Sequence, residues 1–364
     1  MSLSASAVSK SASTLYHLSI SEKINFKFES PLYNAKTIYY RQKPLFAYLI
    51  QGNNLTIYPL IKAADVNKET YWPIKVALEK LGIENPHSVG TYMVRLIFEN
   101  NQGRFIADEE HHYRYFEQTM REFVFQFHRY GESVNGGTSS PIPTDPYEEG
   151  YSHIQLFSAI YYAEVDVMRR VVKKNGSIMD IGCGHGEAPL LFAQSFPLST
   201  VIGTDLMGQR FQCAGGSFQH LNSSLNKVRF AEHDFLEGRL DDAQTSAAKD
   251  QIYGETRVNT EPLCRLIQTQ TGEPMVDAIT INHVLEHIDL PTASLILELL
   301  KHTRSLLCIS LPREKRLNTT SGHKRLYNEY YFEKELWPDI ERVGTNFEPV
   351  YDYTGLGVFA LKSR

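Results

Sequence analysis

Apolar and polar positions divide this chain into two stretches of different rhythm. Before residue 131 the pattern is mixed. Lys36 to Ile50 and Leu55 to Ile61 read as β-strands, with Gly52-Asn53-Asn54 as the hairpin turn. Pro73 to Leu81 predicts a helix stopped by Gly82. Tyr92 to Glu99 predicts a strand, closed by the turn Asn100-Asn101-Gln102-Gly103, and Asp108 to His128 a long aromatic-rich helix. Residues 131–146 read GESVNGGTSSPIPTDP, a cluster of Gly, Ser and Pro with linker chemistry.

After that linker the rhythm becomes regular. Tyr151 to Lys174 carries Ile154, Phe157, Ile160, Tyr161, Val165, Met168 and Val172 at helical spacing. Five apolar runs follow, separated by helical stretches: Ser177 to Ile181, Thr200 to Thr204, Lys227 to Glu232, Met275 to Ile281 and Ser305 to Leu311. Strands that alternate with helices imply βαβ units and a parallel sheet. Asn346 to Tyr353 and Gly357 to Lys362 predict two last strands joined by a tight Thr-Gly turn, an antiparallel hairpin closing the sheet. The expected organisation is a flexible leader over 1–19, a small α+β domain over 20–130, the linker 131–146 and an α/β domain over 147–364. An insertion occupies 236–274, where Leu240 to Tyr253 and Pro262 to Gln270 look helical.

Composition narrows the class. The 364 residues are 42 % hydrophobic and 22 % charged, enough for a substantial core. A net charge of -5 and the absence of a basic-aromatic motif argue against nucleic acid as partner. No apolar run approaches the roughly 18 residues that span a bilayer, so no membrane segment is expected. Residues 1–14 lack the charged start and apolar middle of a secretory signal. The cysteines Cys183, Cys213, Cys264 and Cys308 form no C-x-x-C pair. Dispersed thiols fit a reducing, cytoplasmic setting.

The chemistry concentrates at Ile178 to Gly186, where a strand runs into the turn Gly182-Cys183-Gly184-His185-Gly186 and then a helix from Glu187 to Phe196. Glycines let such a turn bend sharply and let a ligand approach the backbone. Asp205 ends the next strand, where an acid can accept the ribose hydroxyls of a nucleotide. Asp234 follows the third strand and can accept from an adenine amino group, with Phe235 flanking the ring. A nicotinamide-binding domain would use the same kind of turn, but with G-x-G-x-x-G spacing in place of D-x-G-x-G-x-G.

The order D-x-G-C-G-x-G, T-D, H-D-F and N-H-V-L-E-H resembles the class I S-adenosylmethionine-dependent methyltransferases over residues 147–364. That resemblance implies a Rossmann-like, seven-stranded, mostly parallel sheet with an antiparallel C-terminal hairpin. It implies S-adenosylmethionine as cofactor and S-adenosylhomocysteine as product. Asp180, Gly182 and Cys183 would line the methionine end, and Gly184 would let the cofactor pass close. Asp205 with Leu206 would hold the ribose, and Asp234 with Phe235 the adenine. Asn282 and His283 would border the methyl, and Tyr151, with Tyr147, would cover the cofactor.

Methyl transfer asks the protein to hold the acceptor in line and to take its proton. His283, His287 and His323 are the candidate bases. His283, Glu286, His287 and His323 together also form a conceivable metal-ligand set. It is similar to the E-x-x-E-H plus later His of the enzymes that methylate the terminal 2′-hydroxyl of small RNAs. His283 stands where that pattern has its first Glu, and no divalent metal is expected. Arg313, Lys315, Arg316, Lys324 and Arg325 could bind an anionic acceptor. The expected activity is O- or N-methylation of a small molecule, of the kind found in specialised metabolism, with residues 20–130 shaping the acceptor site or a homodimer contact. Alternatives are a metal-assisted RNA ribose or other macromolecule-directed methyltransferase, and a non-catalytic cofactor-binding scaffold.

Overall fold

A computed structural model describes residues 6–7, 16–20, 36–51, 54–83, 86, 89–90, 92–94, 97, 108–136, 153–206, 228–234, 261–288, 291–313, 323–327 and 331–364. The chain divides into two units, Met1–Glu122 with Ser152–Ile154 and Phe123–Tyr151 with Gln155–Arg364.

The first unit holds a five-stranded sheet in the order β1-β2-β5-β4-β3. Its strands are β1 (Ser6–Ala7), β2 (Tyr16–Ile20), β3 (Lys36–Tyr40), β4 (Lys43–Gln51) and β5 (Asn54–Pro59). The stretch read as one strand from Lys36 to Ile50 is broken by Arg41-Gln42, with φ of 48° and 65°. Two consecutive positive φ values make the two-residue hairpin turn that matches strand twist. Arg-Gln carries none of the Asn or Gly signature of that turn, which is why it reads as strand. The β4–β5 hairpin pairs Gln51 with Asn54. Helix α1 runs Lys68–Lys80 and so begins five residues before the expected Pro73. Asn67 caps it: its Oδ1 accepts from Thr70 N at 3.1 Å and Thr70 Oγ1 accepts from Asn67 N at 2.9 Å. Residues 92–94 and 97, expected as strand, are helical. Val89, Met93 and Ile97 are all buried at four-residue spacing, a helical stripe. Helix α2 runs Asp108–Gly136, six residues into the stretch read as linker, and the division between the units falls inside it.

The second unit holds the seven-stranded sheet that the sequence predicts, in the order β11-β12-β10-β9-β6-β7-β8. Its strands are β6 (Ser177–Ile181), β7 (Thr200–Asp205), β8 (Val228–Glu232), β9 (Val276–Asn282), β10 (Thr303–Ser310), β11 (Phe347–Val350) and β12 (Val358–Ser363). Pairing is parallel from β8 to β10, and β12 lies antiparallel between β10 and β11. Every residue of β6 and β9 is buried, as expected for strands covered on both faces. Described helices of this unit are α3 (His153–Val171), α4 (Glu187–Ser195), α5 (Glu261–Thr271), α6 (Thr292–Lys301) and α7 (Trp337–Arg342). Gly357 closes the last turn at φ 74°, where a Cβ would stand 2.3 Å from the Leu311 carbonyl oxygen. Chain order reverses between β6 and β9, so ligands are expected beyond the carboxyl ends of those two strands. No described helix is long and apolar enough to cross a membrane.

Candidate active site

Strand β6 delivers the chain into the glycine turn. Gly182 has φ 73°, and a Cβ there would lie 2.3 Å from Val284 Cγ2. Gly184 has φ 58° but no atom of the described residues within 4 Å of its would-be Cβ. The first glycine lets the turn pack on the segment after β9. The second leaves open space in front of the backbone, where a ligand can come close. Cys183 N donates to Thr204 O at 2.8 Å and Gly184 N to Asp205 Oδ2 at 2.9 Å, fastening the turn to the end of β7. Asp205 is thus buried beside the turn, while Leu206 after it is 61 % exposed. His233 N donates to Asp205 O at 3.0 Å, which brings the end of β8 alongside, and Asp234 is exposed there. Tyr147, Tyr151, Phe235 and 236–260 lie outside the described residues, as do Lys315 and Arg316.

Behind the turn lies a buried polar knot. Asp180 Oδ1 accepts from Thr280 Oγ1 at 2.6 Å and from Asn282 Nδ2 at 3.4 Å. The same Asn282 Nδ2 donates to Glu164 Oε2 on α3 at 3.2 Å, and Ser310 Oγ donates to Asn282 Oδ1 at 2.7 Å. Burial pushes the Asp180 carboxyl up to about 7 against its hydrogen bonds from Thr280 and Asn282. Burial, then the neighbouring Asp180, pushes Glu164 well above the carboxylate range. Sequence reasoning missed Glu164. The signal was present: Glu164 sits one helical turn from Ile160, Tyr161 and Met168, an acid on the apolar face.

Beyond β9 the four expected residues come together. His283 has φ 50°, a backbone conformation that side chains other than Gly seldom adopt. Its ring lies 4.7 Å from that of Phe157, and its Nδ1 lies 3.5 Å from Glu286 Oε1. His287 Nε2 and His323 Nε2 each lie 4.0 Å from the same oxygen, and the Glu286 side chain is fully buried. His323 arrives because its loop docks on the β9 segment: Lys324 N donates to Glu286 O at 2.7 Å and Tyr327 Oη to Leu285 O at 3.3 Å. One ligand atom from each of Glu286, His287 and His323 falls within 4.8 Å of the others, so this trio could hold a metal ion. Metal bonds of about 2.1 Å put tetrahedral ligands about 3.4 Å apart, so small side-chain movements would suffice. Of the five cations considered for an anionic acceptor, Arg313 donates to Gly355 O at 2.8 Å and Arg325 to Ile288 O at 3.3 Å. Each guanidinium thus has one N–H engaged by a backbone carbonyl.

The family described as "Methyltransferase domain" matches residues 156–333. No curated protein matches the chain. Similar solved structures include magnesium protoporphyrin IX methyltransferase from Synechocystis PCC 6803 with bound SAH, at 15 % identity over 58 % of this chain and 83 % of that one, with a TM-score of 0.36. A SAM dependent methyltransferase from Aquifex aeolicus is 15 % identical over 55 % and 87 %, TM-score 0.34. The plantazolicin methyltransferase BpumL, solved with a pentazolic desmethylPZN analog and SAH, is 14 % identical over 67 % and 98 %, TM-score 0.37.

The family match covers just under half of the chain and agrees with the methyltransferase class that the motifs of the second unit resemble. S-adenosylmethionine as cofactor, with S-adenosylhomocysteine as product, is what that resemblance implies. The chain's residues fit that cofactor: open space faces Gly184, and a buried carboxyl oxygen, Glu164 Oε1, has no hydrogen-bond partner among the described residues.

Proposed function

We propose that this enzyme methylates a small-molecule acceptor on oxygen or nitrogen, with the imidazoles around Glu286 receiving the acceptor's proton. The observation that carries the reading is the convergence of His283, His287 and His323 on one buried carboxylate just past β9. The cofactor supplies an electrophilic methyl group carried on a sulfonium. The rest falls to side chains. Asp205 takes the ribose hydroxyls and Asp234 the adenine amino group, while Asp180, Cys183, the glycines and Asn282 line the methionine end. Leu206 offers an exposed apolar surface beside Asp205 that the nucleoside would cover. A buried Glu286 stabilises an imidazolium next to it, so a proton moved from a hydroxyl or amine onto His283 or His287 has somewhere to rest. His283 is held in its left-handed conformation and against Phe157, which fixes where that ring can reach. Residues 20–130 serve acceptor recognition or a homodimer contact.

The test is to incubate the full chain with methyl-labelled S-adenosylmethionine and either a small-molecule extract or RNA. Label in a small molecule, lost in His283→Ala, supports the proposal. Label confined to RNA overturns it. One observation favours a second reading, metal-assisted methylation of a ribose or similar diol: the Glu286, His287 and His323 ligand atoms lie within 4.8 Å of one another. Turnover that survives chelator unchanged would sink that second reading.

A further inference from the structure

Residues 324–327 direct their hydrogen bonds at the turn that carries Glu286. Lys324 N and Arg325 N both donate to Glu286 O, at 2.7 and 3.3 Å, and Arg325 Nε donates to Ile288 O at 3.3 Å. Tyr327 Oη donates to Leu285 O at 3.3 Å and stands 3.0 Å from Thr292 Oγ1 at the start of α6. A carbonyl only accepts, so the phenol proton goes to Leu285 and the threonine proton to the phenol oxygen. The result is a directed chain from Thr292 through Tyr327 to the Leu285 carbonyl. That carbonyl also accepts from Ile288 N at 3.2 Å, the bond that closes the turn. Leu285, Thr292 and Tyr327 are all buried, where linked hydrogen bonds reinforce one another. Four residues before Tyr327, His323 Nε2 lies 4.0 Å from Glu286 Oε1 with its side chain 9 % exposed. His287 stands at the same distance from that oxygen but is 43 % exposed. Docking therefore shelters one imidazole and leaves the other open.

We propose that Tyr327 is a positioning residue: its hydroxyl, held by Thr292, locks residues 324–327 onto the Leu285–Ile288 turn and so sets where the His323 imidazole meets Glu286. The consequence for the reaction rests on the role proposed above for the imidazoles around Glu286. The two backbone amides cannot do this alone, because both end on one oxygen, Glu286 O. Two bonds that converge on one atom make a pivot, about which His323 could swing. Arg325 Nε adds a tether, but through a long side chain that is only part-buried. Tyr327 supplies a second fixed point on a different carbonyl and ties it to α6. The ring belongs to the apolar core and packs edge-on against Tyr331, with centroids 4.8 Å apart. That packing does not need the hydroxyl, so Tyr327→Phe separates positioning from core filling.

Two measurements on the full chain test this. The first follows acylation of His323 by diethyl pyrocarbonate, peptide by peptide, together with hydrogen exchange at the Lys324 and Arg325 amides. In Tyr327→Phe the loss of one buried hydrogen bond should speed all three by about two- to tenfold, with exchange in β9 unchanged. Thr292→Val should act in the same direction but more weakly, since Leu285 keeps its donor, and it carries the test if Tyr327→Phe does not fold. The second measurement is turnover of methyl label into small molecules. It should fall roughly threefold or more in Tyr327→Phe, because a misplacement of about 1 Å can cost about a hundredfold. The KM for S-adenosylmethionine and the thermal stabilisation by S-adenosylhomocysteine should stay as in wild type. Unchanged protection of His323 overturns the proposal, and so does faster exchange spread through β9. Faster acylation of His323 at wild-type turnover also overturns it, if His323→Ala is inactive. If His323→Ala keeps full turnover, the reading of the imidazoles fails instead, and the protection of His323 still decides the role of Tyr327.

Discussion

Gly182→Ala probes the packing that joins the cofactor turn to the segment after β9. A side chain at φ 73° costs about 1–2 kcal/mol through its clash with the following carbonyl. The new Cβ would also lie 2.3 Å from Val284 Cγ2, and overpacking of that kind costs about 1–3 kcal/mol. The two effects sum to about 2–5 kcal/mol, and a unit of this size loses about 2–4 °C in Tm per kcal/mol, so melting should fall by roughly 4–20 °C. Val284→Ala separates the contributions. In that background Gly182→Ala should cost only the conformational part, leaving a coupling of about 1–3 kcal/mol in the double-mutant cycle. Gly184→Ala is the contrasting case. Its Cβ would meet no atom of the described residues, so only the φ cost of about 1–2 kcal/mol applies. The Cβ would instead occupy the ligand's space, so stabilisation by S-adenosylhomocysteine, about 2.7 kcal/mol at a hundredfold excess over Kd, should disappear. Differential scanning fluorimetry of the four variants with and without ligand reads all of this. A Gly182→Ala protein melting within about 2 °C of wild type, or ligand stabilisation unchanged in Gly184→Ala, would refute the reasoning.

Three further outcomes are expected. Without ligand, stability should fall as pH rises from about 4 to about 7, because folded Asp180 keeps its proton to about 7 while the unfolded carboxyl loses it near 3.9. The stabilising contribution is complete below the unfolded value and gone above the folded one; Asp180→Asn should flatten that slope in urea titrations run at several pH values. For the metal-assisted reading, dialysis against EDTA should lower turnover at least tenfold and zinc or manganese should restore it, with His323→Ala abolishing stoichiometric metal in elemental analysis. Asn67→Ala removes the cap of α1 and should destabilise the first unit by about 1 kcal/mol, seen as a lower urea midpoint at unchanged m-value.

The second unit was legible in the sequence for a physical reason. Parallel strands buried on both faces must be continuous apolar runs, and the helices between them repeat at another period, so Ser177–Ile181 and Val276–Asn282 stand out without tertiary knowledge. The first unit lacks that redundancy. Arg41-Gln42 turns without Asn or Gly, and the helical residues at 92–94 are rich enough in β-branched and aromatic neighbours to read as strand. At the site, residues fixed by local sequence were foreseeable: the glycines, Asp205 at a strand end, and the His283-x-x-Glu286-His287 spacing. The convergence of His323 on Glu286 depends on backbone bonds from Lys324 and Arg325 to the Glu286 carbonyl, which no local pattern encodes. Glu164 depends on the same kind of long-range fact, because only the packing of α3 over the sheet brings it to Asn282.

Asn282 is where the two halves of the chemistry meet. Its side chain points into the buried pair of Glu164 and Asp180, while the next residue, His283, opens toward the imidazole cluster around Glu286. The left-handed φ of His283 is what makes that division work. In an ordinary extended conformation β9 would continue, and alternation would send residue 283 to the opposite face of the sheet from residue 282. The reversal at His283 instead ends the strand at the switch point. His283 N stays bonded to Ser310 O at 3.1 Å, and Ser310 Oγ holds the Asn282 amide. Ser310 therefore ties the carboxyl pair behind the cofactor turn to the strained residue that leads into the imidazole cluster. Ser310→Ala should weaken both together: binding of S-adenosylhomocysteine, through a freed Asn282 amide, and turnover, through a displaced His283. Loss of one with the other intact would show that the two sides of the site are held independently.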